Sequence, residues 1–226
     1  MCAQFLIKSR VEELAKKFGI MLPTDFDPDK SGAPLDQRIL PHRSAPVIVS
    51  DQGQRVLKQM NFSLVPAWSK EPKVKFATHN ARIETVTEKP TWRIPFATHR
   101  CLVPITHFIE PIYIKKYAGN MVQFFLKSQG LLAAAGIYDI WANKETGEVL
   151  ESFSILTDAP PPFVADIGHD RCPIFLKESA FGEWLSEGKK DPKTLLQLLQ
   201  KNRADLDLDV KIDRPLAKGW EKRVPV

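Results

Sequence analysis

Cysteine is the second residue of this sequence, directly after the initiator methionine. Removal of Met1 would make Cys2 the N-terminus, with a free α-amine and a thiol on adjacent carbons. The reference pKa is about 7.7–8.0 for such an amine and about 8.5 for the thiol, so each is partly nucleophilic near neutral pH. The pair can attack an ester, an amide or an aldehyde, and with an aldehyde it can close to a thiazolidine. Taken alone, a Met-Cys start indicates no function.

Three further segments carry polar residues that a purely structural chain would not need. Asn80 and Glu84 lie in one polar segment, Glu110 follows an apolar stretch, and His169 lies in a Gly-His-Asp-Arg-Cys-Pro turn. A carboxylate beside a buried strand can act as a general acid or base, and histidine can do so near neutral pH. Asparagine does not titrate, so it suits holding an amine or a sugar oxygen. Each residue also has a structural interpretation, as a helix cap, a strand-end charge or a turn residue.

Composition narrows the class of protein. The 226 residues suffice for one domain with a buried core, and a hydrophobic fraction of 43% is ordinary for a soluble globular protein. We find no signal peptide and no apolar run near the ~20 residues of a membrane span. The 3 cysteines form neither a disulfide framework nor a metal pattern, which favours a reducing compartment. The net charge of +5 makes a polyanionic partner plausible.

The pattern of apolar residues predicts a β-rich α+β domain, with short strands in the middle and helices at both ends. Ser9 and Glu12 are expected to form a capping box, and Gly19 to end that first helix. Residues 122–127 and 131–141 are expected to pair as a hairpin. The predicted strands are 3–7, 47–50, 55–64, 100–109, 122–127, 131–141, 152–156 and 209–212. Residues 21–46 are predicted to be an irregular loop. Later helices are predicted near 91–99, 160–165, 177–187 and 191–199.

Taken together and in this order, the polar segments resemble the SRAP family (SOS-response-associated peptidase domain), the abasic-site sensors of single-stranded DNA. The resemblance extends from residue 2 to about residue 185. The matching segments are Met1-Cys2, Asn80-Ala81-Arg82-x-Glu84-Thr85, Arg100–Pro104 leading to Phe108-x-Glu110, Phe153–Thr157, and His169-Asp170-Arg171-x-Pro173.

The resemblance implies a covalent reaction with a DNA lesion. Cys2 would trap the ring-opened aldehyde of an abasic deoxyribose as a thiazolidine crosslink, which shields the lesion from strand cleavage. Asn80 would position the Cys2 amine and the sugar. Glu110 would move protons in Schiff-base formation and in crosslink reversal, and His169 would assist opening of the sugar ring.

The resemblance also implies a DNA surface and an overall architecture. Arg82 and Arg171 would hold phosphates beside the lesion with Thr157 nearby, and Trp68 would stack on a base or wedge the duplex open. A guanidinium fork suits phosphate, and a basic track with aromatic faces suits single strands. We expect one domain over residues 1–226, with a central, mainly antiparallel or barrel-like sheet and peripheral helices. We expect a monomer with no cofactor and no metal.

The chain departs from the family pattern at several positions. The family usually begins Met-Cys-Gly-Arg, whereas this chain has Ala3 and Gln4. Losing an arginine there removes a phosphate contact, and should weaken DNA binding or its salt dependence. Pro111 replaces the usual tryptophan after the glutamate, and His107 stands where glycine is common.

Two alternative functions share parts of this pattern. An N-terminal-cysteine autopeptidase or amidohydrolase would keep Cys2 as the nucleophile, but it would need an oxyanion hole that the sequence does not reveal. A non-catalytic single-stranded DNA-binding module would keep the groove without the reaction. The leading hypothesis predicts single-stranded DNA with abasic sites as the partner and no membrane association. The compartment would be the cytoplasm, at the nucleoid, in a bacterium and the nucleus in a eukaryote.

Overall fold

Two β-sheets with helices packed around them make up the fold, which we describe from a computed structural model covering residues 4–21 and 35–224. Cys2, Ala3 and much of the predicted loop 21–46 lie outside the described residues. The strands are β1 (Gln4–Ser9), β2 (Leu35–Ile39), β3 (Ser44–Asp51), β4 (Gln54–Phe62), β5 (Asn80–Arg82), β6 (Arg100–Ile105), β7 (His107–Ile112), β8 (Asn120–Leu126), β9 (Leu132–Ala142), β10 (Val149–Asp158), β11 (Cys172–Pro173) and β12 (Leu208–Pro215). The α-helices are α1 (Val11–Phe18), α2 (Arg93–Thr98), α3 (Pro162–Ile167), α4 (Phe181–Leu185) and α5 (Pro192–Lys201).

One sheet closes into a five-stranded barrel. Strands β4, β3, β6, β9 and β10 follow one another by antiparallel pairing, and a short parallel pairing of β10 with β4 completes the circle. Successive residues of a strand point to opposite faces, so Val47 and Val49 face one apolar cluster while Ile48 faces another. The first cluster lies against the second sheet, and the other lies against the helices. The expected barrel-like, β-rich architecture is therefore confirmed.

The second sheet has five antiparallel strands in the order β12-β8-β7-β1-β2. It packs on the barrel through aromatic side chains, since Phe5 of β1 meets Phe62 of β4 edge-on with ring centroids 5.2 Å apart. Within the second sheet, Phe108 stacks on Phe124 at 4.9 Å. Such pairs add to the free energy gained from burying the rings. This packing fixes β1 and β7, the strands nearest the predicted nucleophile and the predicted acid.

The predicted strand 100–109 is wrong, because the apolar run divides between the two sheets at Thr106. Its N–H donates to the carbonyl of Leu6 at 2.9 Å and its hydroxyl accepts from the N–H of Lys8 at 3.1 Å, so the chain leaves the barrel and joins β1. Glu110 consequently lies within β7 rather than at a strand end. Both strands are almost entirely buried, which gave the sequence one continuous apolar signal.

Two other expectations are also wrong. Residues 122–127 and 131–141 do not form a hairpin: β8 pairs with β7 and β12, whereas β9 belongs to the barrel. Within the expected loop 21–46, residues 35–39 form β2, an edge strand that pairs with β1. Its polar side chains are typical of an exposed sheet edge and obscure the strand pattern.

The helices begin and end close to the residues predicted from the sequence. Gly19 adopts a left-handed conformation (φ 63°) after α1, and the carboxylate of Asp191 accepts from the N–H of Thr194 at 2.9 Å to cap α5. The first capping box is displaced by one residue, since Arg10 occupies the N-cap and Glu13 accepts from its N–H at 3.1 Å. In the part of the chain that the structure describes, no helix is long and apolar enough to cross a membrane.

Candidate active site

Strand β10 pairs with two short strands, one of which contains Asn80 while the other follows the turn that carries His169. Beyond the barrel its last residues pair on one side with β5, where Ile155 is the partner of Asn80, and on the other with β11, where Thr157 is the partner of Pro173. The asparagine segment and the turn that carries His169 are thus brought to the two opposite edges of the same strand. Asn80 is 6% exposed and His169 is 7% exposed.

Glu110 and His169 are in direct contact. The Oε2 atom of Glu110, which is fully buried, lies 3.3 Å from Nε2 of His169. The other ring nitrogen, Nδ1, lies 2.8 Å from the carbonyl oxygen of Arg171 and 3.2 Å from its N–H. Nδ1 can either donate to this carbonyl oxygen or accept from this N–H. In both cases, a hydrogen bond between Nε2 and Oε2 needs a single proton, carried either by the imidazole or by the carboxyl group. The pair can therefore pass a proton between a carboxyl group and an imidazole.

Arg171 is held within the protein. Its guanidinium makes a bidentate ion pair with Glu84, with Nη2 donating to Oε2 at 2.9 Å, and Nη2 also donates to the carbonyl of Thr157 at 2.8 Å. This contact lowers the pKa of Glu84, because the carboxylate accepts hydrogen bonds from a permanent cation. Arg171 is 8% exposed and Thr157 is fully buried, so neither presents a broad surface to a ligand.

The other two residues predicted to bind DNA are exposed. Arg82 ends β5 with its side chain in solvent, and Trp68 is 57% exposed on a turn that follows β4. A hydrogen bond holds that turn in place, because the N–H of Ala67 donates to the carboxylate of Asp139 at 2.8 Å. Phe76 is 52% exposed on the same segment, which also carries exposed lysines at positions 70, 73 and 75. The segment has the aromatic and cationic groups of a single-strand surface.

Two groups near the site, one buried and one partly buried, are held in their neutral forms. Burial raises the pKa of Cys172, and the nearby charge of Glu110 raises it further. Burial also lowers the pKa of His79 to about 4, and its ring packs edge-on against Phe62 at 5.8 Å. Both side chains are therefore neutral near pH 7. Among residues 4–21 and 35–224, no group of three or more histidine, cysteine or acidic side chains could hold a metal ion.

The structure thus brings Asn80, Glu110 and His169 to one region, while Cys2 lies outside the described residues. Sequence reasoning did not find the pairing of Glu84 with Arg171. The sequence identifies Glu84 only as a polar residue or a helix cap, and it lies 87 positions from its partner. A salt bridge between such distant positions leaves no local pattern in a single sequence.

The barrel with its packed antiparallel sheet also occurs in solved structures. A protein from Bacteroides thetaiotaomicron superposes with a TM-score of 0.74 over 94% of this chain and 92% of its own, at 24% sequence identity. A protein from Bordetella bronchiseptica gives a TM-score of 0.73 over 94% of this chain and 100% of its own, at 20% identity. At such low identity these likenesses concern the fold alone.

Sequence comparison defines the family. Residues 1–211 match the family described as SOS response associated peptidase (SRAP), and the chain belongs to this family. It is 34% identical over 208 residues to the abasic site processing protein YoqW of Bacillus subtilis, covering 91% of this chain and 89% of YoqW. It is 31% identical over 216 residues to the mouse abasic site processing protein HMCES, covering 79% of this chain and 60% of HMCES.

Proposed function

We propose that this protein senses abasic sites in single-stranded DNA and binds them covalently through Cys2. The observation that carries the proposal is the buried contact between Glu110 and His169, placed beside the strand that follows the predicted nucleophile. Gln4 comes two residues after Cys2, and its register partner on β7 is Ile109, the neighbour of Glu110. The family membership and the names of the relatives support the same substrate.

The reaction requires removal of Met1. The α-amine of Cys2 attacks the aldehyde carbon of the ring-opened deoxyribose and forms a carbinolamine, which loses water to give a Schiff base. The thiol sulfur then adds to the imine carbon, and the thiol proton ends on the nitrogen. One C–N bond and one C–S bond form, one water molecule leaves, and no oxidant or reductant is needed.

The described residues have distinct tasks in this sequence. The Glu110–His169 pair can protonate the departing hydroxyl and accept the proton of the attacking amine. Asn80, on the neighbouring strand, holds the amine or the sugar without competing as a nucleophile. Arg82 and the segment with Trp68 hold the strand, while Arg171, bonded to Thr157, holds the turn that carries His169. A buried site also protects a Schiff base from premature hydrolysis.

A denaturing gel tests the proposal. Purified protein is mixed with single-stranded DNA that carries one abasic site, and intact-base DNA and Cys2→Ala protein serve as controls. We expect a heat-stable shifted band that needs both Cys2 and the lesion. Intact mass spectrometry should give the mass of the protein without Met1 plus that of the DNA, less one water molecule. An active preparation that retains Met1 would exclude the thiazolidine mechanism.

The alternatives give different outcomes. A processed protein that binds DNA without any shifted band would be a non-catalytic binder. Release of an N-terminal peptide or hydrolysis of an amide, lost in Cys2→Ala, would instead indicate the peptidase or amidohydrolase reaction.

A further inference from the structure

Two arginines from distant parts of the chain meet at Gln4. Its side-chain oxygen accepts hydrogen bonds from Nη1 of Arg38 at 3.3 Å and from Nη2 of Arg214 at 3.1 Å. Asp213 holds both arginines in place: its carboxylate makes a bidentate pair with Arg38 at 2.6 and 3.0 Å and also accepts from Arg214. Gln123 donates to the same carboxylate at 2.5 Å. The uncharged side chain of Gln4 therefore contacts two cations.

Curvature of the second sheet builds this cluster. Arg38 lies on β2 and Asp213 on β12, which are the two edges of a sheet with three strands between them. At the usual strand spacing, the edges of a flat sheet of this size would lie about 19 Å apart. The ion pair shows that the edges curl towards each other, and β12 has a register shift between Ile212 and Arg214 where it bends.

The charges of the cluster do not cancel. Two guanidinium groups share one carboxylate, which leaves one positive charge in excess. The carboxylate is on the inside, with the Asp213 side chain 5% exposed, whereas the side chains of Arg38 and Arg214 are 34% and 45% exposed. Among the described residues, the contacts above use three of the five N–H groups of Arg38 and two of those of Arg214. An oxyanion with one negative charge would complete both the charge and the hydrogen bonding.

The cluster also lies two residues along the chain from Cys2, the nucleophile of the proposed function. The register partner of Gln4 on β7 is Ile109, the residue before Glu110, so the side chains of Gln4 and Glu110 lie on opposite faces of this sheet. A strand held at Cys2 can therefore continue over the face that carries the cluster. We propose that Arg38 and Arg214, assembled around Gln4 by Asp213, bind one backbone phosphate of the DNA strand that presents its lesion to Cys2. This inference rests on the proposed function for the identity of the polyanion. It means that the missing arginine at position 4 is replaced by two arginines from other strands.

The salt dependence of binding tests the site without requiring any covalent reaction. An intact-base single-stranded oligonucleotide is titrated with wild-type, Arg214→Gln and Lys211→Gln proteins at several salt concentrations. Loss of one phosphate contact should reduce the slope of log K against log salt by about 0.7 for a single strand. We expect this reduction for Arg214→Gln only. Lys211 is a matched control, because it is an exposed cation on the same strand whose Nζ lies over the ring of Phe125 at 5.0 Å.

Asp213→Asn separates phosphate binding from a purely structural role. The variant removes the negative charge but keeps the shape, so a phosphate site should bind the oligonucleotide at least as tightly as in wild type. If the cluster only closes the sheet, Arg214→Gln and Asp213→Asn will both lower the melting temperature and leave the slope unchanged, which overturns the inference.

The two proposals fail in different ways. A wild-type protein that shows the Arg214-dependent slope but never crosslinks abasic DNA would refute the proposed function and leave the phosphate site standing. A protein that crosslinks and has the same slope with and without Arg214 would refute only the site. Wild-type protein that does not bind the oligonucleotide at all would also overturn the site.

Discussion

Glu84 and Arg171 form a bidentate ion pair that fastens the turn carrying His169 to the segment that follows Asn80. The backbone of Arg171 also contacts Nδ1 of His169, so the guanidinium and the imidazole are held by the same short stretch of chain. Glu84 itself touches neither member of the Glu110–His169 pair in any contact among the described residues. In the proposed reaction, any effect of Glu84 must therefore act through the position of His169.

Glu84→Gln tests this positioning role. The variant keeps the size of the side chain but loses the charge that pairs with Arg171, and half-buried charged hydrogen bonds of this kind contribute about 1.5–3 kcal/mol. We expect the crosslinking rate at saturating abasic DNA to fall about 10-fold or more, with little change in the DNA concentration that gives half the maximal rate. Single-turnover kinetics measure the two quantities separately.

Arg171→Lys is the companion variant, because it keeps the cation but cannot make the bidentate contact. A positioning role predicts that it resembles Glu84→Gln, with a slow rate and nearly unchanged affinity. A direct phosphate contact predicts the opposite pattern, in which Arg171→Lys weakens DNA binding and Glu84→Gln leaves it intact or stronger. Arg82→Lys provides the reference for a solvent-exposed arginine.

Gly168 links α3 to His169. We expect Gly168→Ala to lower both the free energy of unfolding and the rate of crosslinking. The residue has φ 111°, and an added Cβ would lie 2.8 Å from the carbonyl oxygen of Ile114. Strain and crowding of this kind cost about 1–3 kcal/mol each. Denaturant unfolding should show a loss of about 2 kcal/mol or more, and crosslinking should slow because His169 is displaced.

Gly147→Ala is the matched control for this substitution. Gly147 also has a positive φ, 74°, but an added Cβ would meet nothing within 4 Å. Only the cost of the left-handed conformation applies, about 1–2 kcal/mol, and the crosslinking rate should not change. Equal effects of the two substitutions on the crosslinking rate would contradict the role of Gly168 in placing His169.

The sequence predicts the class of fold because its local signals agree with the tertiary structure. The strands β3, β4 and β10 and the helix capped by Asp191 all have the apolar spacing or capping residues that their final positions require. Prediction failed where pairing is non-local. Nothing near Thr106 indicates that the chain changes sheets there, because both flanking strands are buried on both faces.

The side chains of the candidate site could be selected one by one from the sequence, but the contacts between them could not. Asn80, Glu110 and His169 could be selected by chemical type and by resemblance, and the structure brings them together. The pairing of Glu84 with Arg171, and the meeting of Arg38 with Arg214 at Gln4, depend on strand order and sheet curvature. A single sequence carries no local signal for contacts between positions 84 and 171 or between positions 38 and 214.

Asp213 should make the stability of the protein depend on acid pH. Hydrogen bonds from Arg38 lower its pKa to about 2 from an ordinary value near 3.8. Because the folded pKa is lowered, the stabilisation is fully present above about pH 4 and is lost as the pH falls towards 2. A shift of this size corresponds to roughly 2 kcal/mol.

The measurement for Asp213 is urea unfolding of wild-type and Asp213→Asn proteins between pH 2 and pH 6. The wild type should be the more stable protein at pH 6, and the difference should shrink below pH 4. Asp209→Asn, an exposed position on the same strand, should follow the wild-type curve. A difference between wild type and Asp213→Asn that stays constant with pH would show that the carboxylate charge is not the source of the stabilisation.

Glu110 and His169 should act as a single unit, and a double-mutant cycle can show this. Loss of a general acid or base typically slows a reaction by about 10²–10⁴-fold, so we expect Glu110→Gln and His169→Asn each to reduce the crosslinking rate within this range. If one proton is shared across the 3.3 Å contact, removal of the second group adds little once the first is gone. The double variant should then react about as slowly as the slower single variant. Multiplicative losses would mean that the two groups serve separate steps, with His169 acting on the sugar ring and Glu110 on the amine. DNA affinity of all three variants, measured with intact-base oligonucleotide, provides the control for folding, since none of these substitutions touches the exposed cations of the proposed DNA surface.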